Sequence, residues 1–368
     1  MNILFLCGNP NDSLLDSLKN DNQVISCGPS KKHDIQINEA TDIKKILKKS
    51  GKVDLIFFLE QQPLIIPQSI EKITIPKAVY LVDLHIHYHT WHKHFAQLFD
   101  LVFCAQKKYV EKFKKLGLKN VFWLPLYCNQ HLDKNLNLKR IYDVGFVGSL
   151  NHLHNPKRSL FLWLLNMKFW TKIGQNVYGK NRTKILNQAK ITFNYSNAGD
   201  LNFRTFETMA CGAMLLTNKQ DGMFCLFKNR THLVTYNNFF DAQKIINFYL
   251  NNPKRRQEIA KAGQVKVLKK HSAANRAREI IKIIKSKAEI NNRSRDKILN
   301  YYSMGRAYFF NYQTKSAVNY LKRFTNLQKK MSTAKLEATI FSSIAKYSPP
   351  LIFRLAIIFF RRYYRIQN

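Results

Sequence analysis

Apolar runs alternate with polar segments of helical spacing up to about residue 285 of the chain. Apolar runs bounded by polar residues are typical of buried parallel strands, and the segments between them have the spacing of helices. The alternation predicts an α/β protein with two Rossmann-like domains in series, a cleft between them, and ligands at the carboxyl ends of their strands. The predicted strands are Asn2–Cys7, Val53–Leu59, Ala78–Asp83, Leu101–Ala105 and Val121–Leu124, then Asp143–Val147, Asn176–Tyr178, Ile191–Tyr195, Ala213–Thr217 and His232–Thr235.

The domain limits follow from the same pattern. The polar segment Asn129–Arg140 carries a change in charge, and we place the joint between the domains there. Helical spacing dominates the chain after the second series of strands. The predicted domains are residues 1–138, 139–288 and a basic helical extension, 289–368. The predicted helices are Ile43–Lys49, Lys107–Leu116, Ser159–Met167, Thr183–Ala189, Phe203–Cys211, Phe240–Asn251 and one long helix over Arg255–Ser286.

The segment Asn202–Thr217 predicts a short helix, a glycine stop and a buried strand. Glu207 lies on the apolar face of that helix, next to Phe206, where a carboxylate is costly to bury without a partner. Two interpretations stay open from the residues alone. Glu207 either forms an internal ion pair with Arg204 or another arginine, or it binds a ligand.

The chain has a formal net charge of +37, with 60 lysine and arginine residues against 23 acidic ones. This charge reflects either a composition bias or an anionic partner such as a nucleic acid, an acidic membrane or a phosphorylated substrate. Most of the 47 aromatic residues (26 Phe, 17 Tyr and 4 Trp) lie in strand-like apolar runs. That placement suits a core better than a base-stacking platform, so nucleic acid is not the partner we expect.

The cysteines and the N-terminus predict a cytoplasmic protein. The six cysteines show no CxxC pair and no regular spacing, as expected for buried free thiols in a reducing compartment. The apolar start Met1–Cys7 is too short for a signal peptide, and no uncharged apolar stretch has the length of a membrane span.

The end of the chain, residues 351–365, mixes bulky apolar, aromatic and arginine residues. A basic aromatic helix can lie on the inner, anionic face of a membrane, which would make the protein peripheral there. The other interpretation is a helix that packs back onto the N-terminal domain and leaves its arginines in water. The sequence leaves both open.

Three passages carry a resemblance to a known family. They begin at Val82-Asp-Leu-His85, at Tyr142-Asp-Val-Gly-Phe-Val-Gly-Ser149 and at Arg204-Thr-Phe-Glu207, the last followed by Ala210-Cys-Gly212. The chain resembles the GT-B glycosyltransferases over residues 1–285, and specifically the CgeB-like (spore maturation) group among the retaining enzymes. The resemblance implies transfer of a sugar from a nucleoside diphosphate donor to an unknown acceptor, with retention. No cofactor or metal is expected beyond the donor itself, because a helix dipole and arginines can stabilise the leaving diphosphate.

The predicted donor site begins at the N-terminus of the Phe203–Cys211 helix, whose free N–H groups can bind a diphosphate. Asn202 is an acceptable N-cap, Phe203 contributes a loop amide, and Arg204 adds a cation that can bind phosphate in a bidentate manner. In the resembled family the glutamate at the place of Glu207 binds ribose. That role is expected here for Glu207.

Three further positions complete the predicted donor site. Gly148 and Ser149 end the first strand of the second domain, where glycine permits close approach of the backbone to phosphate. Arg158 follows near the next helix start as a second cation, and Tyr178 is expected to flank the nucleotide base.

Asp83 and His85 follow a strand of the first domain, and we expect them to orient or deprotonate an acceptor hydroxyl. A hydrogen bond that anchors the loop is the alternative role. These residues open a loop with four further histidines. Alternate histidines could bind zinc or nickel if the loop is extended, but no cysteine pair or carboxylate cluster completes the site, so no metal is expected. The further histidines are His87, His89, His92 and His94.

One departure from the family pattern keeps a rival function open. Many related retaining enzymes carry a second glutamate eight residues before the first, whereas this chain has Gly199 there, followed by Asp200. The departure puts the donor-sugar contacts in doubt. A non-catalytic GT-B-like scaffold is therefore an alternative to the enzyme.

Overall fold

A computed structural model describes residues 1–150, 155–286, 297–328 and 332–366 of the chain. The chain forms two compact units, each built on a parallel sheet, so the α/β fold class with two Rossmann-like domains is confirmed. Unit 1 contains Met1–Ala105, Tyr109–Leu124 and Ile281–Asn368. Unit 2 contains Gln106–Lys108 and Pro125–Ile280.

Unit 1 has a seven-stranded parallel sheet in the order β3-β2-β1-β4-β5-β6-β7. Every residue of the two central strands β4 and β5 is buried, because helices cover both faces of such a sheet. The sequence pattern missed β2 and β3, which lie at one edge where the apolar run is short. The strands are β1 (Asn2–Leu6), β2 (Gln23–Gly28), β3 (Ile35–Gln36), β4 (Leu55–Leu59), β5 (Lys77–Leu81), β6 (Leu101–Cys104) and β7 (Val121–Trp123).

The helices of unit 1 correct one expectation. The histidine-rich segment after β5 was expected to be a loop, but it is helical from Leu84 onward, with a π-helical turn at Tyr88–His92 and a 3₁₀ turn at Ala96–Leu98. Residues two apart on a helix point in different directions, so these rings do not line up. The helices are α1 (Ser13–Lys19), α2 (Ile43–Ser50), α3 (Leu84–His87), α4 (Lys93–Phe95) and α5 (Lys108–Lys115), together with a 3₁₀ turn at Ile70–Lys72.

Unit 2 has a five-stranded parallel sheet in the order β12-β11-β10-β8-β9. The expected strand Asn176–Tyr178 is wrong, because the second strand of this unit lies at Thr171–Gly174 and Tyr178 caps a helix instead. The other predicted strands are present within two residues. They are β8 (Tyr142–Val147), β9 (Thr171–Gly174), β10 (Ala189–Asn194), β11 (Met214–Asn218) and β12 (Val234–Tyr236).

The single long helix expected over Arg255–Ser286 is two helices. Helical structure is interrupted at His271 and Ser272, where the backbone of Cys128 forms two hydrogen bonds. The Cys128 N–H donates to the His271 carbonyl at 3.0 Å, and the Cys128 carbonyl accepts from the Ala273 N–H at 2.9 Å. The helices that follow β8 along the chain are α6 (Pro156–Asn166), α7 (Gly179–Gln188), α8 (Phe203–Ala210), α9 (Met223–Leu226), α10 (Phe239–Asn251), α11 (Pro253–Lys270) and α12 (Ala273–Ser286).

Four C-terminal helices pack onto the apolar core of unit 1. Arg306 is buried there, where it donates to the Thr90 carbonyl at 2.8 Å, to the Tyr302 hydroxyl at 2.8 Å and to Glu337. In the described ranges no helix is long and apolar enough to cross a membrane. The helices are α13 (Lys297–Phe310), α14 (Thr314–Leu327), α15 (Thr333–Tyr347) and α16 (Pro350–Ile366).

Candidate functional site

The strand order of unit 2 locates its ligand crevice. From β8 the chain moves outward to β9, then returns to pair β10 on the other side of β8 and continues to β11 and β12. Ligands of open parallel sheets bind beyond the carboxyl ends of the two strands at which the order reverses. Those strands are β8 and β10. Gly148 and Ser149 directly follow β8, and Asn202 at the start of α8 follows β10.

Arg204 in the first turn of α8 reaches the end of β8. Its Nε donates to the Val147 carbonyl, its Nη1 donates to Asn194 Oδ1 at 2.6 Å, and its guanidinium lies 4.7 Å from the Phe146 ring centroid. A Cβ atom at Gly148 would overlap this guanidinium, so a larger residue there would have to displace the Arg204 side chain or the end of β8. Burial, helped by the nearby charge of Arg158, lowers the pKa of Arg204 to about 10. The group therefore remains cationic at neutral pH.

Arg158 on α6 brings a second cation to the same strand ends. Its Nε donates to the Tyr195 carbonyl at 3.0 Å, just beyond β10, and its Nη1 donates to the Ser149 carbonyl at 3.2 Å, just beyond β8. Burial lowers the pKa of Arg158, and the charge of Asp200 opposes that effect. The two guanidinium groups thus lie close to each other, with Asp200 near both of them and Glu207 near Arg204.

Glu207 forms an internal ion pair, and its partner is Arg182 on α7 rather than Arg204. Arg182 Nη1 donates to Glu207 Oε1 at 2.6 Å, and its Nη2 donates to Asp133. Burial raises the pKa of Glu207 to about 7, against the opposing charge of Arg182. The Glu207 side chain keeps 16% of its surface exposed. One arginine therefore bridges two carboxylates, and Glu207 is not sealed from solvent.

The sequence missed Arg182 and Asp133. They are separated from their partners by 25 and 49 residues, and Asp133 lies in the segment interpreted as a joint between domains. Burial lowers the pKa of Arg182, but the charges of Glu207 and Asp133 outweigh it and raise the pKa overall. The sequence did show that Glu207 lies on an apolar helix face and needs a partner. It did not show which arginine that partner is.

Three other predicted donor residues lie around the same helix ends. Asn202 stands at the N-cap position of α8 but makes no side-chain capping hydrogen bond, and its Oδ1 accepts from the Asn194 amide at 3.4 Å. Phe203 packs edge-on against Tyr127, with ring centroids 5.4 Å apart. Tyr178 caps α7, four positions before Arg182, and is 76% exposed. An aromatic ring this exposed is open to stack on a base.

The loop before α8 contains the departure from the family pattern. Gly199 adopts the left-handed conformation, with φ of 66°. The following Asp200 is buried and accepts a hydrogen bond from Ser196 Oγ at 2.5 Å. The Asp200 carboxylate thus bonds to its own loop, and Gly199 offers no side chain in place of the missing glutamate.

Asp83 and His85 lie in unit 1, beyond the carboxyl end of β5. Asp83 precedes α3, and its N–H donates to Glu60 Oε2 at 3.0 Å. Glu60 also binds the N–H of Val82 at 2.8 Å and lies 2.9 Å from His92 Nε2. Burial opposes ionisation of Glu60, but His92 and the two amides outweigh it and lower its pKa. Glu60 and His92 therefore fix the backbone that carries Asp83.

The part of the chain that the structure describes contains no group of three or more His, Cys, Asp and Glu residues placed to hold a metal ion. A groove of about 620 Å³ in unit 2 is lined by residues of β12, α10 and α11 such as Val234, Phe248 and Ile259. None of the predicted donor residues lines it. The polar cluster at β8 and β10 is thus a separate feature.

The chain is similar to known proteins in sequence over part of its length and in fold over most of it. Residues 137–282 match a family model described as glycosyl transferase-like. HepE from Anabaena, solved with UDP and glucose, superposes with a TM-score of 0.57 at 14% identity, covering 78% of this chain and 100% of that one. The fold is that of the GT-B glycosyltransferases. Sucrose-phosphate synthase from Thermosynechococcus elongatus gives a TM-score of 0.57 at 12% identity, covering 78% of this chain and 99% of that one.

A third solved structure, a glycosyltransferase from Rickettsia africae, has a TM-score of 0.54 at 12% identity, and the match covers 79% of this chain and 99% of that one. No curated protein matches the sequence. Structural matches at identities this low establish the fold of the chain but not its activity. The activity has to be argued from the site.

Proposed function

We propose that the protein is a glycosyltransferase that binds a nucleoside diphosphate sugar at the carboxyl ends of β8 and β10. The observation that carries the proposal is the convergence of Gly148, Arg158, Arg204 and Glu207 at the strand-order reversal of unit 2. The glycosyl transferase-like match includes every one of the predicted donor residues. The HepE structures with UDP and with UDP-glucose support a uridine nucleotide as the first donor to test.

Each residue has a role in this proposal. Arg204, Arg158 and the first N–H groups of α8 bind the diphosphate and stabilise its charge as it leaves, so that no metal ion is needed. Glu207 Oε2 accepts from a ribose hydroxyl while Oε1 stays with Arg182. Tyr178 stacks on the base. In unit 1, Asp83 or His85 orients the acceptor hydroxyl.

Three finer points belong to the same proposal. The passage from Arg204 to Gly212 supports the CgeB-like group, and that group implies retention at the anomeric carbon. The six cysteines are free thiols, five of them buried, which supports a reducing, cytoplasmic location. The acceptor is left as an unnamed hydroxyl compound.

The test is a donor assay across several sugar nucleotides. The purified chain is incubated with each donor in water, and the release of nucleoside diphosphate is measured. We expect slow hydrolysis of at least one donor, and proton NMR should show the anomer of the donor as the first product. Release of the opposite anomer would contradict retention.

A second candidate is a protein that binds a nucleotide sugar without transferring it. It is favoured by Gly199, which has no side chain where related enzymes have a glutamate, and by Asp200, which bonds to Ser196. Tight binding of a donor, with no hydrolysis and no transfer to any acceptor, would select this candidate over the enzyme.

A further inference from the structure

The C-terminal helix α16 carries apolar side chains on two opposite faces. Phe353 and Ile357 are buried, and Phe360 and Tyr364 pack beside them against the core of unit 1. On the other side, six large side chains remain 39% to 70% exposed. At about 100° per residue, they share an arc of roughly 140°. We call this arc the α16 outer face; it comprises Leu351, Ile352, Leu355, Ile358, Phe359 and Tyr363.

The surroundings of the outer face are basic. Arg354 is exposed beside it, and Lys346 is exposed shortly before the helix begins. From residue 338 to the end of the chain there are five basic residues and no acidic one. The last acidic residue, Glu337, is bonded inward to Arg306, Tyr302 and Tyr364. No carboxylate from this end of the chain therefore offsets the positive charge.

We propose that the α16 outer face docks on the surface of an anionic lipid bilayer. Exposed leucine, isoleucine and phenylalanine next to arginine, with a tyrosine toward one end, form the combination by which amphipathic helices lie in a membrane interface. The helix lies on the bilayer rather than across it, because it is too short and too charged to span. Association of two copies through this face is disfavoured, since it would bring like charges together on chains of net charge +37.

This inference does not depend on the proposed donor site, and its test measures binding alone. The full chain is floated with vesicles of phosphatidylcholine, with and without phosphatidylglycerol. A protein of this charge is attracted to any anionic surface, so the test compares variants that leave the charge unchanged. Phe359→Ser removes an exposed ring from the outer face. Phe240→Ser removes a ring of similar exposure, 73% against 61% for Phe359, from α10 in unit 2 and is the matched control.

We expect binding to the anionic vesicles to fall on the order of tenfold in Phe359→Ser, and further in Leu355→Ser/Phe359→Ser, while Phe240→Ser binds like the parent chain. The thermal midpoint should be unchanged in all three, since the replaced side chains are exposed. Equal binding of Phe359→Ser and the parent chain would overturn the proposal and leave general charge attraction. A parent chain that is dimeric by light scattering, and monomeric after Phe359→Ser, would overturn it in favour of a second copy.

Discussion

At the scale of single residues, Glu207 is the side chain whose state decides most about the proposed site. Arg182 binds one oxygen of Glu207 and also binds Asp133. The positive charge that stabilises ionised Glu207 is therefore shared with a second carboxylate. The result is a carboxyl group with a pKa raised to about 7 by burial. A group with this pKa changes charge within the physiological range, and binding that uses its ionised form must change with it.

We predict that affinity for a nucleotide sugar rises as the pH increases from about 6 to about 8. Above its pKa, Glu207 is ionised and accepts stronger hydrogen bonds from ribose hydroxyls. Titration calorimetry with UDP-glucose is the measurement, because this donor has no terminal phosphate that titrates in the same range. Glu207→Gln should bind more weakly and show a flat pH profile. An unchanged slope in that variant would assign the pH dependence to another group.

Gly148 gives the second prediction at this scale. Its Cβ would overlap the guanidinium of Arg204, so Gly148→Ala must displace the arginine or the end of β8. We expect UDP-glucose affinity to fall by roughly tenfold or more. Gly117→Ala is the control, because Gly117 also has a positive φ but no atom near its Cβ position. That variant should lose about 1 kcal/mol of stability and no affinity. Equal affinity of both variants would contradict the proposed contact.

At the scale of elements, the pattern of apolar residues was sufficient where strands are buried on both faces. The apolar runs of β4 and β5, Leu55–Leu59 and Ala78–Leu81, were predicted as strands because no polar residue interrupts them. The pattern failed at β2, β3 and β9 and at the break within the Arg255–Ser286 segment. The division of the Arg255–Ser286 segment depends on Cys128, whose backbone bonds at His271 and Ala273 across more than a hundred residues of sequence.

The candidate site shows the same limit. Gly148, Asn202 and Arg204 could be named because each stands at a strand end or a helix start, which are local features. The pairing of Glu207 with Arg182 could not, since it depends on how α7 and α8 pack. Sequence spacing predicted a partner for the carboxylate, and only the fold identifies it.

The third prediction concerns the packing of α13 within unit 1. Arg306 is buried and binds Glu337, so Arg306→Ala leaves a partly buried carboxylate without its cation. We expect the free energy of unfolding to fall by about 3 kcal/mol in a urea titration. Arg323→Ala on α14 removes an exposed arginine and should cost less than about 1 kcal/mol. An equal loss of unfolding free energy in Arg306→Ala and Arg323→Ala would show that the buried ion pair does not stabilise the packing of α13.

At the scale of the whole molecule, net charge is the dominant property. An excess of 37 positive charges repels itself within a compact chain and weakens the folded state. We predict that the thermal midpoint rises as NaCl is increased from roughly 0.05 to 0.5 M, because screening shortens the range of the repulsion. Scanning calorimetry measures the shift. A midpoint that falls over this range would mean that attractive ion pairs outweigh the repulsion.

The positive charge also bears on the alternative that the protein binds nucleic acid, which a salt titration tests. Phosphate contacts give an affinity that falls steeply with salt. Single-stranded DNA should bind only weakly at physiological salt if the basic surface has no dedicated groove. Tight binding of DNA there, with no affinity for any sugar nucleotide, would favour that alternative over the glycosyltransferase.

The most direct test of the account is the affinity of UDP-glucose for the parent chain, for Glu207→Ala and for Glu258→Ala, measured by titration calorimetry at pH 8. Glu258 is an exposed glutamate on α11 and serves as the matched control. We predict measurable binding to the parent chain and to Glu258→Ala, and an affinity lower by roughly tenfold or more in Glu207→Ala. Equal affinity in all three proteins would contradict the assignment of the nucleotide-sugar site to the carboxyl ends of β8 and β10.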